Sequence, residues 1–252
     1  MGDSFLARAG RRVEHPARMR IERKKTTSLG GNIFSVGDKA RATADTLEGS
    51  TTNRRRTRMN FAIPEGLAPE VYPLAWLVGT WRGPGFIQYP GIDERPVLVE
   101  ATFSADGGPY LVYTATTWEL TNPPASLEGE IDVAGLQAGQ VWASESGYWR
   151  VPPVAEQNTA DGEGSPRQGA PTELEVLLAE PSGHVSVYLG VAQGPRIQLA
   201  TDLIARTATG AEMTAAQRMY GLVNSELMWA TDLAAFGHEM QSYSSGRMQR
   251  QG

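Results

Sequence analysis

The segment Leu77-Val-Gly-Thr-Trp-Arg-Gly-Pro-Gly85 is the part of the sequence that decides the fold. Glycine and tryptophan alternate with other residues here, at Gly79, Trp81, Gly83 and Gly85. Glycines in a strand let it bend sharply and let its backbone approach a neighbouring strand or a ligand. We therefore predict a strongly curved first strand, with Trp81 pointing inward to plug one end of a barrel.

The sequence after Gly79 alternates between short strand-like segments and turns for nearly its whole length. The candidate strands, which are rich in Val, Tyr, Trp, Thr and Leu, lie near Thr80–Tyr89, Val97–Phe103, Tyr110–Glu119, Val141–Val151, Thr172–Ala179, His184–Val191, Arg196–Ala205, Met213–Leu222, Glu226–Ala235 and Met240–Met248. Turn-forming Gly, Pro, Asp, Asn and Ser residues separate several of them. Ten short strands without a long helix predict an all-β, antiparallel up-and-down barrel, because closure removes the exposed edges of a meander.

Other segments surround or interrupt this predicted barrel. The apolar stretch Val71–Val78, punctuated by prolines, predicts one or two helical turns before the first strand. Two long loops are expected, at Thr121–Gln140 and at Pro152–Pro171. A barrel of eight or more strands is wide enough to enclose one small ligand, so a cavity is expected as well.

The first 60 residues differ in character from the rest of the chain. Residues 1–60 carry 14 basic and 6 acidic residues, whereas residues 61–252 carry 9 basic and 22 acidic residues. We predict a disordered basic tail (1–60) followed by one barrel domain (61–252). Two alternatives are a tether to nucleic acid or anionic membranes, and a true translation start at Met59. The acidic barrel itself is not expected to bind nucleic acid.

The composition excludes several kinds of site. The chain has no cysteine and three histidines, so disulfides, thiolate metal sites and a zinc site of histidine and cysteine are not expected. No apolar run approaches the length of a membrane span, and the first twenty residues lack the apolar segment of a secretory signal. Together with the absence of cysteine, this favours a cytoplasmic protein.

Several segments resemble the nitrobindin family, and they occur in the family's order. They are Gly79–Gly85 with Tyr89-Pro90, Glu145–Arg150, Leu177–Gly183, Arg218–Gly221, Leu227–Trp229 and Asp232–Gly237. The first pattern also opens lipocalins and fatty-acid-binding proteins, but the whole set is specific to nitrobindins. The resemblance implies a ten-stranded antiparallel barrel that binds haem b in a broad surface cleft. In the family, one histidine of the final strand ligates the ferric iron, and members with that histidine bind nitric oxide and isomerise peroxynitrite to nitrate.

The final segment departs from the family at the position of this iron ligand. The family's glycine, apolar residue, glutamine and arginine stay in register at Gly237, Met240, Gln241 and Arg250. The histidine position is occupied by Tyr243, the following leucine by Ser244, and a small alanine by Gly246. The family's threonine after Tyr-Pro is replaced by Gly91.

Three explanations of Tyr243 remain open. The first is that iron ligation is lost, because a neutral phenol is a weak ligand and tyrosine ordinarily has a pKa near 10. The second is a tyrosinate–haem site, which needs a cationic or hydrogen-bonding partner; Arg247, about 13 Å away on the same face of a regular strand, is the candidate. The third is another histidine. On a regular strand His238 would face away from Tyr243, and His184 is expected at the surface.

We favour the first explanation. The sequence then predicts a nitrobindin-like barrel without a histidine-ligated iron, with no assigned catalytic residue and no peroxynitrite isomerase activity. Its expected ligand is a hydrophobic small molecule, and no cofactor is expected; haem b held by Tyr243, or a lipid carried in the cavity, are the alternatives. The expected cleft residues are Thr80, Tyr89, Gly91 and Met240.

Overall fold

The computed structural model describes residues 64–126, 129–153 and 171–252. The predicted basic tail and the alternative start at Met59 lie outside these ranges, as does most of the predicted loop Pro152–Pro171. A 3-10 helix, Pro69–Leu77, occupies the place of the predicted helical turns. Within the described ranges, no helix is long and apolar enough to cross a bilayer.

Ten β-strands follow the helix and confirm the predicted set. They are β1 (Gly79–Tyr89), β2 (Ile92–Ser104), β3 (Tyr110–Leu120), β4 (Ala138–Arg150), β5 (Thr172–Glu180), β6 (His184–Ala192), β7 (Arg196–Arg206), β8 (Met213–Val223), β9 (Glu226–Ala235) and β10 (Gln241–Gln251). Each strand pairs antiparallel with its sequence neighbours, and β10 pairs with β1. The sheet is therefore a closed up-and-down barrel, as predicted.

Two predicted strand boundaries were wrong. Strand β2 begins at Ile92 rather than Val97, because the β1–β2 turn is tight and Tyr89 already pairs with Ile92. Strand β4 begins at Ala138, inside the predicted loop Thr121–Gln140, because Ala138 pairs with Leu120 at the end of β3. In both cases the partner strand extends the ladder beyond the apolar segment that the sequence pattern detects.

The first and last strands approach closely where both carry glycine. Gly85 of β1 lies opposite Gly246 of β10. A Cβ atom added to Gly246 would lie 2.5 Å from the Pro84 carbonyl oxygen and 3.0 Å from Cζ2 of Trp229. A Cβ atom added to Gly83 or Gly85 would likewise meet the β10 backbone, at the Arg247 or Ser245 carbonyl oxygen. These two glycines of the opening segment therefore serve close approach of a neighbouring backbone, one of the two roles expected from the sequence.

The end of the barrel where β1 begins is filled with side chains. Trp81 is 1% exposed, as expected for an inward plug, and its Nε1–H donates to the Leu77 carbonyl at 2.7 Å. The Arg250 guanidinium lies 4.2 Å from the centre of the Trp81 ring. Buried helix and strand residues form one core cluster around it, including Val71, Leu74, Leu77, Phe103, Leu111 and Trp149.

A second, smaller apolar cluster lies on the outside of the barrel. It is formed by Leu98, Leu120, Ile131, Val133 and Leu136, with Trp118 packed against it. The segment 129–137, named here the outer loop, supplies three of these residues. Arg82 of β1 donates to the Val133 and Leu136 carbonyls, and Arg247 of β10 donates to the Gly129 carbonyl. The outer loop is thereby bound to both strands of the closing seam.

Candidate functional site

The other end of the barrel contains a cavity of about 600 Å³. It is lined at its rim by the β5–β6, β7–β8 and β9–β10 turns and deeper by inward-facing strand residues. Apolar and aromatic side chains form most of the wall, including Ile87, Val99, Trp142, Trp229, Phe236 and Met248. The volume and lining are those of a small-molecule site.

A buried ion pair lies deep in this cavity. Arg218 of β8 donates from two nitrogens to the two carboxylate oxygens of Glu145 of β4, both at 2.7 Å. The Tyr113 hydroxyl donates to Glu145 at 2.7 Å, and Arg218 Nε–H donates to the Tyr188 hydroxyl oxygen at 3.2 Å. Both charges are therefore paired and hydrogen-bonded, as buried charges require.

Glu145 and Arg218 shift each other's pKa, and the pair also affects the neighbouring tyrosine. Burial by itself would raise the pKa of Glu145, but the charge and hydrogen bonds of Arg218, together with the Tyr113 hydroxyl, lower that pKa below its usual value. Burial would lower the pKa of Arg218, and Glu145 reverses this and holds it well above its usual value. Burial, followed by the Glu145 charge, raises the pKa of Tyr113 well above its usual value. The pair is thus a fixed dipole with neutral tyrosines around it.

Tyr243 faces the cavity and is half-buried. Its hydroxyl oxygen accepts a hydrogen bond from Nε1–H of Trp142 at 2.9 Å. Its ring meets the Tyr89 ring edge-on, with the centres 6.0 Å apart. Because β10 and β4 lie four strands apart around the barrel, the Trp142–Tyr243 bond crosses the cavity.

A β-bulge at Tyr243 changes the register that the sequence suggested. The β9–β10 pairing shifts between Ser242 and Ser244, and both Tyr243 and Ser244 line the cavity. Arg247 therefore does not share a face with Tyr243. It forms an ion pair with Glu226 at 2.9 Å and donates to the outer loop. The expectation that Arg247 shares a strand face with Tyr243 was wrong, because a bulge breaks strict alternation.

His184 is the histidine that lines the cavity, and the expectation that it lies at the surface was wrong. It is 5% exposed. Its Nδ1 lies 3.0 Å from the Ser182 hydroxyl oxygen, and its Nε2 lies 2.8 Å from the Ala211 carbonyl oxygen. Both ring nitrogens therefore already have partners in the protein.

His238 lies in the β9–β10 turn, so the argument from strand alternation does not apply to it. It is exposed, is not among the residues that line the cavity, and meets the Tyr89 ring edge-on at 6.0 Å. Tyr89 is buried, and its hydroxyl group accepts from the Ala235 N–H at 3.0 Å and donates to the Leu233 carbonyl at 3.1 Å. Tyr89 thus anchors the end of β9 at the cavity rim.

The other expected cleft residues lie outside the main cavity. Tyr89 and Gly91 line a smaller neighbouring depression. The Thr80 hydroxyl oxygen lies 3.1 Å from that of Thr102, on the face of β1 opposite Trp81. Met240 is 37% exposed in the turn before β10. Neither Thr80 nor Met240 is among the residues that line the main cavity.

Sequence reasoning did not assign Glu145, Arg218 or Trp142 to the site as named functional residues. The sequence did contain a signal for Glu145 and Arg218. Glu145 and Arg218 each begin a segment that resembles the nitrobindin family, and a Glu and an Arg facing inward from two strands of one barrel are expected to pair. No such signal pairs Trp142 with Tyr243, because 101 residues separate them along the chain.

Comparison with known proteins now assigns the family. Residues 70–250 match the family described as the THAP4-like, heme-binding β-barrel domain. This chain belongs to the nitrobindin family. The "Ferric nitrobindin-like protein" of Beutenbergia cavernae is 60% identical over an alignment of 209 positions that covers 76% of this chain and 99% of that protein.

Two further proteins are similar to this nitrobindin-family member. The "Peroxynitrite isomerase" of a Parafrankia species is 40% identical over 185 residues, covering 73% of this chain and 81% of that protein. The crystal structure of Rv2717c from M. tuberculosis superimposes with a TM-score of 0.56 at 28% identity, covering 74% of this chain and 99% of that one. The nitrobindin resemblance seen in the sequence is thereby confirmed.

Proposed function

We propose that this chain is a nitrobindin-family barrel that binds a hydrophobic small molecule, holds no haem iron through histidine and does not isomerise peroxynitrite. The observation that carries the proposal is the environment of Tyr243. Burial raises the pKa of Tyr243 above its ordinary value, so its hydroxyl group is a neutral phenol at neutral pH. A neutral phenol is a poor axial ligand for iron, whereas haem proteins with tyrosine ligation use the phenolate.

The groups around Tyr243 shift its pKa in opposite directions. After burial, the hydrogen bond from Trp142 lowers the pKa of Tyr243, the Glu180 charge raises it and the Arg218 charge lowers it; the result is a raised pKa. The Trp142 N–H is also the observation that favours the alternative function. It points at the phenol oxygen and would stabilise a phenolate bound to ferric iron. Ferric haem held by Tyr243 is therefore the second candidate.

The histidines of the described barrel support the loss of histidine ligation. His184 faces the cavity, but iron binding at either ring nitrogen would break a hydrogen bond, to Ser182 or to Ala211. His238 lies outside the cavity lining. The side chains that line the cavity thus offer no free imidazole as an axial ligand, and haem fits this donor set poorly.

The cavity wall supports a hydrophobic ligand. Burial of apolar ligand surface stabilises a complex by roughly 25 cal/mol per Å² of area removed from water, and most of the wall is apolar. A lipid is one such ligand, and native mass spectrometry of the purified chain reports a co-purified lipid directly as added mass.

The haem part of the proposal is tested by adding haemin to the wild-type chain and to the Tyr243→Phe and Tyr243→His variants and recording absorption spectra. We expect the wild type and Tyr243→Phe to bind haemin equally weakly, without a phenolate-to-iron charge-transfer band. Tyr243→His is expected to bind tightly, because an imidazole then faces the cavity.

A charge-transfer band in the wild type that disappears in Tyr243→Phe would overturn the proposal in favour of tyrosinate ligation. Trp142→Phe is the matched control for that result, because it removes the N–H donor and keeps an aromatic ring. Peroxynitrite decay measured with the same proteins gives the second readout: the wild type is expected to leave the uncatalysed rate unchanged.

A further inference from the structure

The charges that line the cavity do not balance. Among the described lining residues, the only arginine is Arg218, and its charge is already matched by Glu145 in the bidentate pair. Two more acidic residues, Glu180 and Glu212, belong to the lining, and no described lysine does. His184, which also belongs to the lining, is linked to Glu180 through the Ser182 hydroxyl group. The described residues that line the cavity therefore include more acidic than basic side chains.

Each of these two acidic residues is linked to an aromatic residue of the mouth. Glu180 ends β5 on the inward-facing side that Val176 and Leu178 also occupy, and its charge acts on Tyr243 across the cavity. The Glu212 carbonyl oxygen accepts a hydrogen bond from the Phe236 N–H at 2.9 Å, which fixes the two residues side by side.

Phe236 meets the buried Tyr89 ring edge-on, with the ring centres 6.1 Å apart, but most of its side chain stays outside the core. It is 55% exposed although it is a large apolar residue, and it has a φ of 54°. This left-handed conformation is uncommon for a bulky residue and is often found where a site demands it. The backbone thus holds an exposed aromatic ring at the mouth of the cavity, in a residue bonded through its main chain to Glu212.

We propose that the ligand of this cavity is a hydrophobic organic cation, such as a quaternary ammonium or an amine. Its charge would lie between Glu180 and Glu212, against the rings of Phe236 and Tyr243, and its hydrocarbon part would lie deeper, against Trp229. Aromatic faces attract cations, and the attraction is stronger where water is excluded. An anionic ligand would instead meet the two carboxylates. This inference rests on the proposed binding of a hydrophobic molecule and adds that the molecule is positively charged.

Trp142 is not part of the cation site. The Arg95 guanidinium already lies 5.2 Å from the centre of the Trp142 ring, and Arg95 is paired with Glu119 at 2.6 Å. The ring of Trp142 is therefore already in contact with the Arg95 cation, and its N–H is hydrogen-bonded to Tyr243.

The test compares three probes of similar shape by isothermal titration of the full chain at about pH 8, above the ordinary titration range of an imidazole. They are benzyltrimethylammonium, its uncharged carbon isostere neopentylbenzene, and the anion phenylacetate. We expect the cation to bind about tenfold more tightly than the isostere, in line with the usual strength of a desolvated cation–aromatic contact. Phenylacetate is expected to bind more weakly than either.

Two double variants separate the roles of charge and cavity. Glu180→Gln/Glu212→Gln is expected to reduce the preference for the cation to about twofold or less and to leave neopentylbenzene binding unchanged. The matched control Glu65→Gln/Glu173→Gln removes two carboxylates outside the cavity lining and is expected to keep the preference. Equal binding of the cation and the isostere by the wild type would overturn the cation proposal and leave the proposed function standing. Failure of all three probes to bind would overturn both.

Discussion

At the scale of single residues, the Glu145–Arg218 pair is the feature with the largest expected effect on stability. The Glu145 and Arg218 side chains are 16% and 10% exposed, so each charge depends mainly on the other rather than on water for its compensation. Removing one partner of a buried pair leaves the other charge without compensation, whereas replacing both by apolar residues leaves no buried charge. The pair therefore contributes little net stability as a unit, although each member depends strongly on the other.

Glu145→Gln is expected to lower the free energy of unfolding by about 3–5 kcal/mol, because Arg218 then remains charged in the core. The double variant Glu145→Leu/Arg218→Met is expected to lie within about 1 kcal/mol of the wild type or above it. Urea unfolding followed by tryptophan fluorescence measures both. A double variant as unstable as Glu145→Gln would show that the pair stabilises the barrel in its own right.

Sequence reasoning placed Tyr243 in the family's ligand position because the glycine and arginine on either side stay in register. That assignment remains a prediction; the structure adds that Tyr243 lines the cavity. Sequence reasoning could not predict what surrounds Tyr243. The bulge that turns this side chain into the cavity depends on the pairing with β9, and its Trp142 partner comes from the opposite wall. Interactions between distant strands leave no local pattern in a single sequence.

At the scale of elements, the closing seam between β1 and β10 depends on glycine, because a residue without a side chain lets the two strands approach closely. The neighbours of Gly246 are the Pro84 backbone and the indole of Trp229, and neither can move aside easily. Gly246→Ala is therefore expected to lower the free energy of unfolding by about 1–3 kcal/mol, the usual effect of overpacking. Thermal or urea unfolding of the variant measures the change.

Gly221 of β8 provides the matched control for this prediction. It is also a strand glycine, but the nearest atom to an added Cβ is the Pro195 carbonyl oxygen at 3.9 Å. Gly221→Ala is expected to be neutral or to stabilise by up to about 1 kcal/mol, since alanine loses less conformational freedom on folding. Equal destabilisation by both substitutions would contradict the proposed role of close approach at the seam.

The strands were predicted well because their signals are local. Val, Tyr, Trp and Thr mark the strands, and glycine- or proline-containing turns separate them. The early starts of β2 and β4 were missed because polar or proline-containing ends join a ladder only when the neighbouring strand offers them partners, as Tyr89 does for Ile92 and Leu120 does for Ala138.

At the scale of the whole molecule, closure of the barrel was predictable from the strands alone, whereas the pairing of Glu145 with Arg218 could be predicted only once that closure was assumed. Ten strands in a meander leave two edges, and closure is the simplest way to remove them. The ion pair, by contrast, joins β4 to β8 through the interior, four strands apart around the barrel. Such a contact becomes visible only after the barrel has been closed in space.

This cross-barrel pair also predicts how the molecule responds to acid. The pKa of Glu145 is lower in the folded barrel than its usual value of 4.5. Its contribution to stability is therefore fully present above about pH 4.5 and is lost as the pH falls through the lower, folded-state pKa. Unfolding free energies measured between about pH 7 and pH 3 are expected to decrease more for the wild type than for Glu145→Leu/Arg218→Met. Parallel profiles would assign acid sensitivity to other carboxylates.

The outer loop has a consequence for the order in which the chain is synthesised. Its Gly129 and Ile131 carbonyl oxygens receive their hydrogen bonds from Arg247 and Gln249, each 118 residues later in the chain. While the ribosome is still producing β5 to β9, these two acceptors lack their β10 donors, and the Ile131 carbonyl oxygen accepts only from the Val133 N–H. Arrival of β10 satisfies them in the same event that pairs it with β1. Once about half of the chain has been synthesised, the nascent chain thus carries an incomplete surface that only its last strand completes.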